Sequence, residues 1–238
     1  MVESEDLIYQ ALSKALLAGE LPPGTQLIET RVAAIFEVSR ERVRKVLHRL
    51  GHERLIDLIP NKGAFVTDPT LSQAREIYEA RRIVEGGVVA RLAGRLTLTQ
   101  IQTLRKHSEL EAQALAAGDR ARSIQLSGQF HQILAGFCNN AFVIRELQEL
   151  ISRTSMLVAF FEPDSASQCA CDEHHEIVDA IQEGDMARAS KMMHIHLSLI
   201  ETRLQPNSTP RTLDSDDVLR RARDAVREPL AKPARKRK

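Results

Sequence analysis

Apolar residues recur every three or four positions through residues 5–50, the spacing that buries one face of an α-helix. The pattern predicts a first helix over residues 5–18, which Gly19 ends. A second helix begins at Thr30, its predicted N-cap. A third runs from Arg40 to Leu50, with Ser39 as its predicted N-cap. Three short helices therefore precede residue 52.

The pattern changes after the third helix. Two short β-prone runs, at 55–59 and 64–66, flank the turn sequence Pro60-Asn61-Lys62-Gly63. They predict a β-hairpin with a lysine at its tip. The order of helix, helix, tight turn, basic helix and hairpin predicts an N-terminal winged helix-turn-helix domain of α+β class over residues 1–69.

Beyond Pro69 the spacing is helical almost without interruption, and no strand signal or internal repeat occurs. The predicted helices cover residues 71–94, 98–117, 120–137, 141–161, 171–183 and 186–204. Residues 70–205 are therefore predicted to form an all-α bundle. Residues 206–238 are predicted to be a disordered basic tail, and the alternative is that its basic end contacts DNA non-specifically.

Composition narrows the class of protein. A hydrophobic content of 43% and a charged content of 27% are ordinary for a globular chain of 238 residues. No apolar run of 18 residues and no signal peptide is present, and three cysteines make no disulfide framework. We expect a cytoplasmic protein without a membrane partner. The net charge is only +1, so nucleic-acid affinity requires a local basic patch.

The third helix supplies such a patch. Its outer faces carry Arg40, Arg42, Arg44, Lys45, His48 and Arg49. Guanidinium groups suit phosphates and guanine acceptors, so we predict that Arg40 and Arg44, with Glu41, lie against base edges in the major groove. We predict that three further residues contact phosphates or the minor groove, namely Arg31, Arg49 and Lys62. The alternative is a solvated charged face.

Three histidines lie on the apolar stripes of separate helices. These are His131, His174 and His196, whereas His175 and His194 point away from those stripes. Two interpretations stay open from spacing alone. Each histidine could be a hydrogen-bonded core residue, or the three could converge on a divalent metal in the bundle interior.

The N-terminal segment resembles the winged helix-turn-helix of GntR-type bacterial transcription regulators. The matching residues are Pro23-Gly24, Ser39-Arg40, Val43-Arg44, Leu47, Leu50 and Pro60 to Gly63. The resemblance adds Ser39 and Gly63 to the predicted DNA-binding residues. The family usually has Thr-Pro where this chain has Glu41-Arg42, and a carboxylate there changes which base is read, since it accepts from cytosine.

Residues 71–204 resemble the FCD domain, the ligand-binding domain of the FadR-type branch of that family. The matching residues are Phe130-His131, Glu173-His174, Ala180-Ile181, Gly184-Asp185 and Met193 to His196-Leu197. The resemblance implies that His131, His174 and His196 bind zinc or nickel and that a small carboxylate effector takes the open positions. Ser127 stands where the family's metal-binding members have aspartate. The site is therefore three-histidine with extra water, weaker, or empty.

The helix that opens this domain offers two guanidinium groups to an effector. Arg81 or Arg82 could bind a carboxylate through both nitrogens, and the alternative is a salt bridge with Glu85.

Together these features predict a homodimeric transcription regulator that binds a pseudo-palindromic operator in double-stranded DNA and responds to a small organic acid. The alternative is a metal-dependent enzyme that uses the three histidines.

Overall fold

The computed structural model describes residues 5–163, 170–206 and 214–227 of the chain. The N-terminal domain comprises α1 (Glu5–Leu17), β1 (Gln26–Leu27), α2 (Glu29–Phe36), α3 (Arg40–His52), β2 (Ile56–Ile59) and β3 (Gly63–Val66). The remaining helices are α4 (Leu71–Leu92), α5 (Leu98–Ala116), α6 (Arg120–Phe137), α7 (Ala141–Phe161), α8 (Ala170–Glu183), α9 (Met186–Arg203) and α10 (Ser215–Arg227). The predicted fold class, a winged helix-turn-helix followed by an all-α bundle, is confirmed.

The start of α3 follows the sequence prediction, and the start of α2 does not. The Ser39 hydroxyl accepts a hydrogen bond from the Arg42 backbone N–H, as an N-cap does. The predicted cap at Thr30 is wrong, because α2 already begins at Glu29, directly behind the extended residue Ile28. Between the two helices Glu37 adopts a left-handed conformation with φ of 56°, which makes the tight turn.

The wing is a three-stranded antiparallel sheet in the order β1-β3-β2. The predicted hairpin pairs Ile59 with Gly63 across a turn in which Asn61 has φ of 62°. The third strand, β1, was missed because two residues are too short to show a period.

In the helical bundle, paired Gly-Asp signals set two of the helix starts. The side chains of Asp119 and Asp185 accept backbone N–H groups at the starts of α6 and α9. Gly118 and Gly184 precede them with φ of 72° and 80°, conformations that favour glycine. None of the described helices is both long and apolar enough to cross a membrane.

The two domains share buried apolar surface. One cluster fills the centre of the helical bundle. The other is the core of the winged domain, and it continues into the ends of α6 and α7 through Ala121, Ile124, Met156 and Phe160. The ends of α6 and α7 are therefore part of the same buried core as the winged domain.

The predicted disordered tail is wrong for residues 215–227. They form α10, in which Val218 and Leu219 are buried in the winged-domain core next to α1 and α2. The charged stretch has helical tendency, but its few apolar residues gave little periodic signal, and a helix of 13 residues is marginal in water without tertiary packing. The predictions for residues 207–213 and for the basic end, 228–238, concern residues outside those that the structure describes.

Candidate metal centre and DNA-reading face

Three imidazoles from three helices meet in the interior of the bundle. His131 on α6, His174 on α8 and His196 on α9 are each at most 2% exposed. The Nε2 atom of His196 lies 3.2 Å from the Nε2 atom of His131 and 3.2 Å from that of His174. Each of the three offers one ligand atom, and these atoms lie within 4.8 Å of one another. The structure thus brings together the three histidines that the sequence analysis selected.

A glutamate holds the opposite nitrogen of each ring. The Nδ1 atoms of His131, His174 and His196 lie 2.5, 2.7 and 2.7 Å from carboxylate oxygens. The three carboxylates belong, in that order, to Glu85, Glu111 and Glu173. Carboxylates in this position fix the orientation and tautomer of metal-binding histidines.

Two of these glutamates stay anionic although they are buried. Burial alone would raise the pKa of Glu85, but Arg81 and His131 outweigh it and lower that pKa to about 2. For Glu111 burial again raises the pKa, and the stronger combined effect of its partners, His174 first, lowers it. A carboxylate accepts a hydrogen bond, so the Nδ1 atoms of His131 and His174, which face Glu85 and Glu111, carry the proton. In a neutral ring the Nε2 atom then presents a lone pair to the centre.

The charge and spacing of the three imidazoles are those of a group that could hold a metal ion. Burial lowers the pKa of His131 to about 4 and that of His196 well below its usual range, so both rings are neutral near pH 7. Histidine nitrogens 2.0–2.1 Å from one metal lie about 2.9–3.4 Å apart in tetrahedral or octahedral geometry. The 3.2 Å separations fit that range. Imidazole donors suit zinc, nickel, copper and iron.

The role of the three glutamates as partners of the histidines was not predicted. Glu85 and Glu111 do leave a signal, because each is a charged residue on an otherwise buried helix face. No local pattern in the sequence indicates which histidine each glutamate contacts, since Glu85 and His131 are 46 positions apart.

A cavity of about 50 Å³ lies beside His131, the one of the three histidines that lines it. Its lining includes Tyr78, Arg81, Glu111, Ser123, Ile124, Ser127, His131, Thr154, Ser155, Val158 and Arg203. Ser127 therefore lines the same space as His131, one helical turn away, and it helps to lower the pKa of Glu111. Within the described part of the chain the candidate ligand set consists of the three histidines alone.

The two candidate effector arginines have different surroundings. Arg81 is buried, donates to Glu85 over 2.6 Å and to Thr154 over 2.8 Å, and lines the cavity. Its Nη2 atom and the Tyr78 hydroxyl have no hydrogen-bond partner among the described residues. Arg82 instead pairs with Glu201 at 2.6 Å, outside the cavity lining. The salt bridge to Glu85 therefore exists and still leaves one Arg81 nitrogen for a ligand.

The predicted base-reading residues lie together on the exposed side of α3. Glu29, the first residue of α2, binds the Arg44 guanidinium through two contacts of 2.9 and 3.0 Å, and it reaches Arg40 at 3.4 Å. Glu41 is exposed on the same helix. Ser39, which caps α3, lies at the start of this surface.

The predicted backbone-contacting residues are more scattered. Arg31 is exposed on α2, and Lys62 is exposed at the tip of the wing beside Gly63. Arg49 lies against α1, where its guanidinium stacks 3.6 Å from the centre of the Tyr9 ring and pairs with Asp6 at 3.1 Å. Its role in phosphate binding stays a prediction.

Comparison with protein families decides the class of this chain. Residues 5–66 match the gntR family of bacterial regulatory proteins, and residues 76–199 match the FCD domain. The chain belongs to the GntR family, in its FCD-containing branch. As a GntR regulator it is a DNA-binding transcriptional regulator.

Named relatives agree with that assignment. The HTH-type transcriptional repressor RspR of Escherichia coli (strain K12) is 27% identical over 196 residues, which cover 81% of this chain and 85% of RspR. The gluconate operon transcriptional repressor of Bacillus subtilis (strain 168) is 26% identical over 226 residues, 86% of this chain and 93% of that protein. Since the family and these relatives are transcriptional regulators, the enzyme alternative is not favoured.

Solved structures support the fold. E. coli McbR/YncC superposes with a TM-score of 0.67 at 21% identity, covering 83% of this chain and 95% of its own. A putative transcriptional regulator GntR from Rhodococcus sp. RHA1 gives the same TM-score at 24% identity, with the same coverage of 83% and 95%.

Proposed function

We propose that this GntR regulator acts as a homodimer on a pseudo-palindromic operator in the cytoplasm, and that a small organic acid bound at a divalent metal changes its operator affinity. The observation that carries the proposal is the convergence of three buried imidazoles whose outer nitrogens are held by carboxylates. Residues His131, His174 and His196 would hold zinc or nickel, and the metal would supply a positive charge and open positions for an anionic ligand.

The cavity chemistry favours a carboxylate as the effector. Arg81 lines the cavity with an unpaired Nη2, and the unpaired Tyr78 hydroxyl lies in the same lining. Buried donors without partners cost free energy, and a ligand that accepts from them relieves that cost. The rest of the polar lining consists of the hydroxyls of Ser123, Ser127, Thr154 and Ser155, the cation Arg203, His131, and the carboxylates of Glu111 and Glu162. A cavity of about 50 Å³ suits a small acid.

Two helices connect the cavity with the DNA-reading domain. Ile124 on α6 belongs both to the cavity lining and to the core shared with the winged domain. Val158 on α7 lines the cavity, and the next residue, Ala159, lies so close to Gly19 that a Cβ on that glycine would meet the Ala159 carbonyl oxygen at 2.7 Å. A ligand that prefers one arrangement of α6 and α7 would therefore shift the population of winged-domain orientations.

On the DNA side we assign base contacts to Arg40, Glu41 and Arg44, with Ser39 at the helix start. Backbone or minor-groove contacts are assigned to Arg31, Arg49, Lys62 and Gly63. Exposure of Arg40 and Arg44 on one face of α3 supports this division. A two-fold dimer would place two such helices on related half-sites.

The effector proposal is tested with zinc-loaded, full-length protein and a duplex selected by it from random DNA. Affinity is measured by fluorescence anisotropy in the presence of two- to six-carbon organic acids and of the matching alcohols. We expect at least one acid, and no alcohol, to change the Kd by about 5- to 150-fold, the usual range of allosteric coupling.

Matched variants locate the effect. Arg81→Lys keeps the charge beside Glu85 but loses the forked geometry, so it should weaken the acid response. Arg82→Lys, outside the cavity, should keep it. An affinity that no acid changes, or an acid response equal in both variants, would contradict the proposal.

A further inference from the structure

A second cavity, of about 230 Å³, lies between the winged domain and the helical bundle. Helices α1 and α3 line it from the winged domain, and α6 and α7 line it from the bundle. We propose that this interdomain cavity is a second ligand site, which takes a neutral polyhydroxyl compound, a polyol or a sugar, and holds the two domains in one arrangement. The site is separate from the metal centre and needs no metal.

Glutamine amides supply hydrogen-bonding groups to the cavity. Gln125, Gln129 and Gln132 line it from one face of α6, at the spacing of successive helical turns, and Gln148 lines it from α7. Gln125 accepts a hydrogen bond from Arg122 over 2.7 Å. The side-chain amides of the other three have no hydrogen-bond partner among the described residues. An amide both donates and accepts, so it matches a ligand hydroxyl, which does the same.

The charges in the cavity cancel. Its lining contains one cation, Arg49, and one anion, Glu53, and the two pair at 3.4 Å. The Tyr9 hydroxyl donates to Glu53 over 2.5 Å. Burial raises the pKa of Tyr9, so this hydroxyl keeps its proton. A lining without net charge favours a neutral ligand, in contrast to the cavity beside His131, where Arg81 favours an acid.

The remaining walls combine hydroxyl and apolar groups. Ser13 and Ser152 are buried in the lining, beside the side chains of Leu17, Leu55 and Ile151. Small-molecule sites have this mixture of apolar walls and a few polar groups. The volume far exceeds the ~10–15 Å³ that a single water molecule needs. A compound with hydroxyls on its edges and C–H groups on its faces matches both parts of the lining.

A contact between α6 and α7 separates this cavity from the one beside His131. Gly128, Ile151 and Ser155 line both cavities. A Cβ on Gly128 would meet the Ser155 Oγ at 3.0 Å and the Ile151 Cγ2 at 3.3 Å, so the two helices are already in close contact here. The two cavities are therefore neighbours with different lining chemistry.

A ligand in the interdomain cavity touches both domains. Two ion pairs join the same elements from outside, Lys14 with Asp119 at 2.9 Å and Arg54 with Glu149 at 3.5 Å. Exposed pairs of this kind contribute little. A ligand with hydrogen bonds to both sides binds best to the arrangement that forms the cavity, so it shifts the population toward that arrangement and changes operator affinity.

Isothermal titration calorimetry of the full-length wild-type protein tests the ligand class. The probes are sorbitol, glucose and myo-inositol, with glucuronate as the charged counterpart of glucose, at concentrations well below those at which sugars stabilise proteins by exclusion. We expect saturable binding of at least one neutral probe, at one site per chain. No neutral probe bound, or glucuronate bound alone, would overturn the proposal.

Matched glutamine variants locate the site. Gln129→Leu and Gln148→Leu each remove an amide from the lining, and Gln102→Leu does the same at an exposed position of α5 outside it. The first two should weaken binding of the neutral probe by about 2- to 13-fold each, the loss expected for one hydrogen bond. Gln102→Leu should bind like wild type. Equal affinity in all four proteins would overturn the assigned location.

Two further measurements separate this site from the metal centre and test its effect on DNA binding. Wild-type protein treated with chelator should bind the neutral probe as tightly as untreated protein, and loss of binding there would overturn the independence of the two sites. At saturation the probe should change the Kd for the selected duplex by about 5- to 150-fold in wild type, and much less in the Gln129→Leu, Gln148→Leu double variant. An operator Kd that the bound probe leaves unchanged would overturn the regulatory role.

Discussion

Replacing Arg44 with alanine separates sequence reading from simple charge attraction. The Arg44 side chain is 55% exposed, and its two contacts with Glu29, at 2.9 and 3.0 Å, hold the guanidinium in one orientation on the outer face of α3. An exposed ion pair of this kind contributes about 0–1 kcal/mol to stability. Arg44→Ala should therefore fold like wild type, and a change in DNA binding reports on the DNA contact.

The expected size follows from the geometry of the contact. A guanidinium held by a carboxylate is oriented before binding, and a bidentate contact to guanine discriminates by about 1–3 kcal/mol. Arg44→Ala should thus weaken binding to the selected operator by about 5- to 150-fold. Binding to scrambled DNA should change much less, so the ratio of the two affinities falls.

Lys62→Ala is the matched control for that experiment. Lys62 lies at the exposed tip of the wing, where we assign it to the DNA backbone. Its loss should weaken binding to both duplexes alike and lower the magnitude of the salt slope by about 1. Both variants are compared with wild type by gel-shift titration at several salt concentrations. An unchanged operator affinity in Arg44→Ala would show that the assigned docking face of α3 is wrong.

Two further outcomes concern the sensor domain. Ser127→Asp should tighten zinc binding in a competitive chelator titration, because it adds a carboxylate to the cavity. The same substitution should lower the Tm of metal-free protein, because it places that charge beside Glu111. Weaker zinc binding than in wild type would contradict this. In urea unfolding of metal-free protein, the free energy of unfolding should fall as the pH drops from about 6.5 to about 4, since the unfolded chain protonates its histidines while burial keeps His131 and His196 neutral. A flat profile over that window would refute the buried neutral site.

Much of the fold was predictable because its signals are local. Apolar stripes placed the helices of both domains, and the Ser39 hydroxyl accepts a backbone N–H at the start of α3 as predicted. The carboxylates of Asp119 and Asp185 cap α6 and α9 in the same way. The two elements that were not predicted, β1 and α10, depend on tertiary structure. β1 exists through pairing with β3, and α10 exists through burial of Val218 and Leu219 in a core built by other segments.

The residues of the candidate metal centre also divide into those that local sequence patterns predicted and those that depend on tertiary packing. Its three histidines were predictable because each lies on an apolar stripe, where an ionisable residue is conspicuous. Their glutamate partners come from distant positions, so no local pattern joins Glu111 to His174 across 63 residues. Arg81 and Arg82 are adjacent on α4, and only packing shows that Arg81 alone lines the cavity.

The central claim, that three converging imidazoles bind a metal ion, is tested most directly by elemental analysis. Wild-type protein is loaded with zinc or nickel and dialysed, and metal and protein are quantified in parallel with His174→Gln and with His194→Gln, a control for an exposed histidine on α9. We predict about one equivalent per chain in wild type and in His194→Gln, and a strong loss in His174→Gln, which removes one of three ligands. A wild-type protein that retains neither metal, or a content equal in all three proteins, would contradict the account.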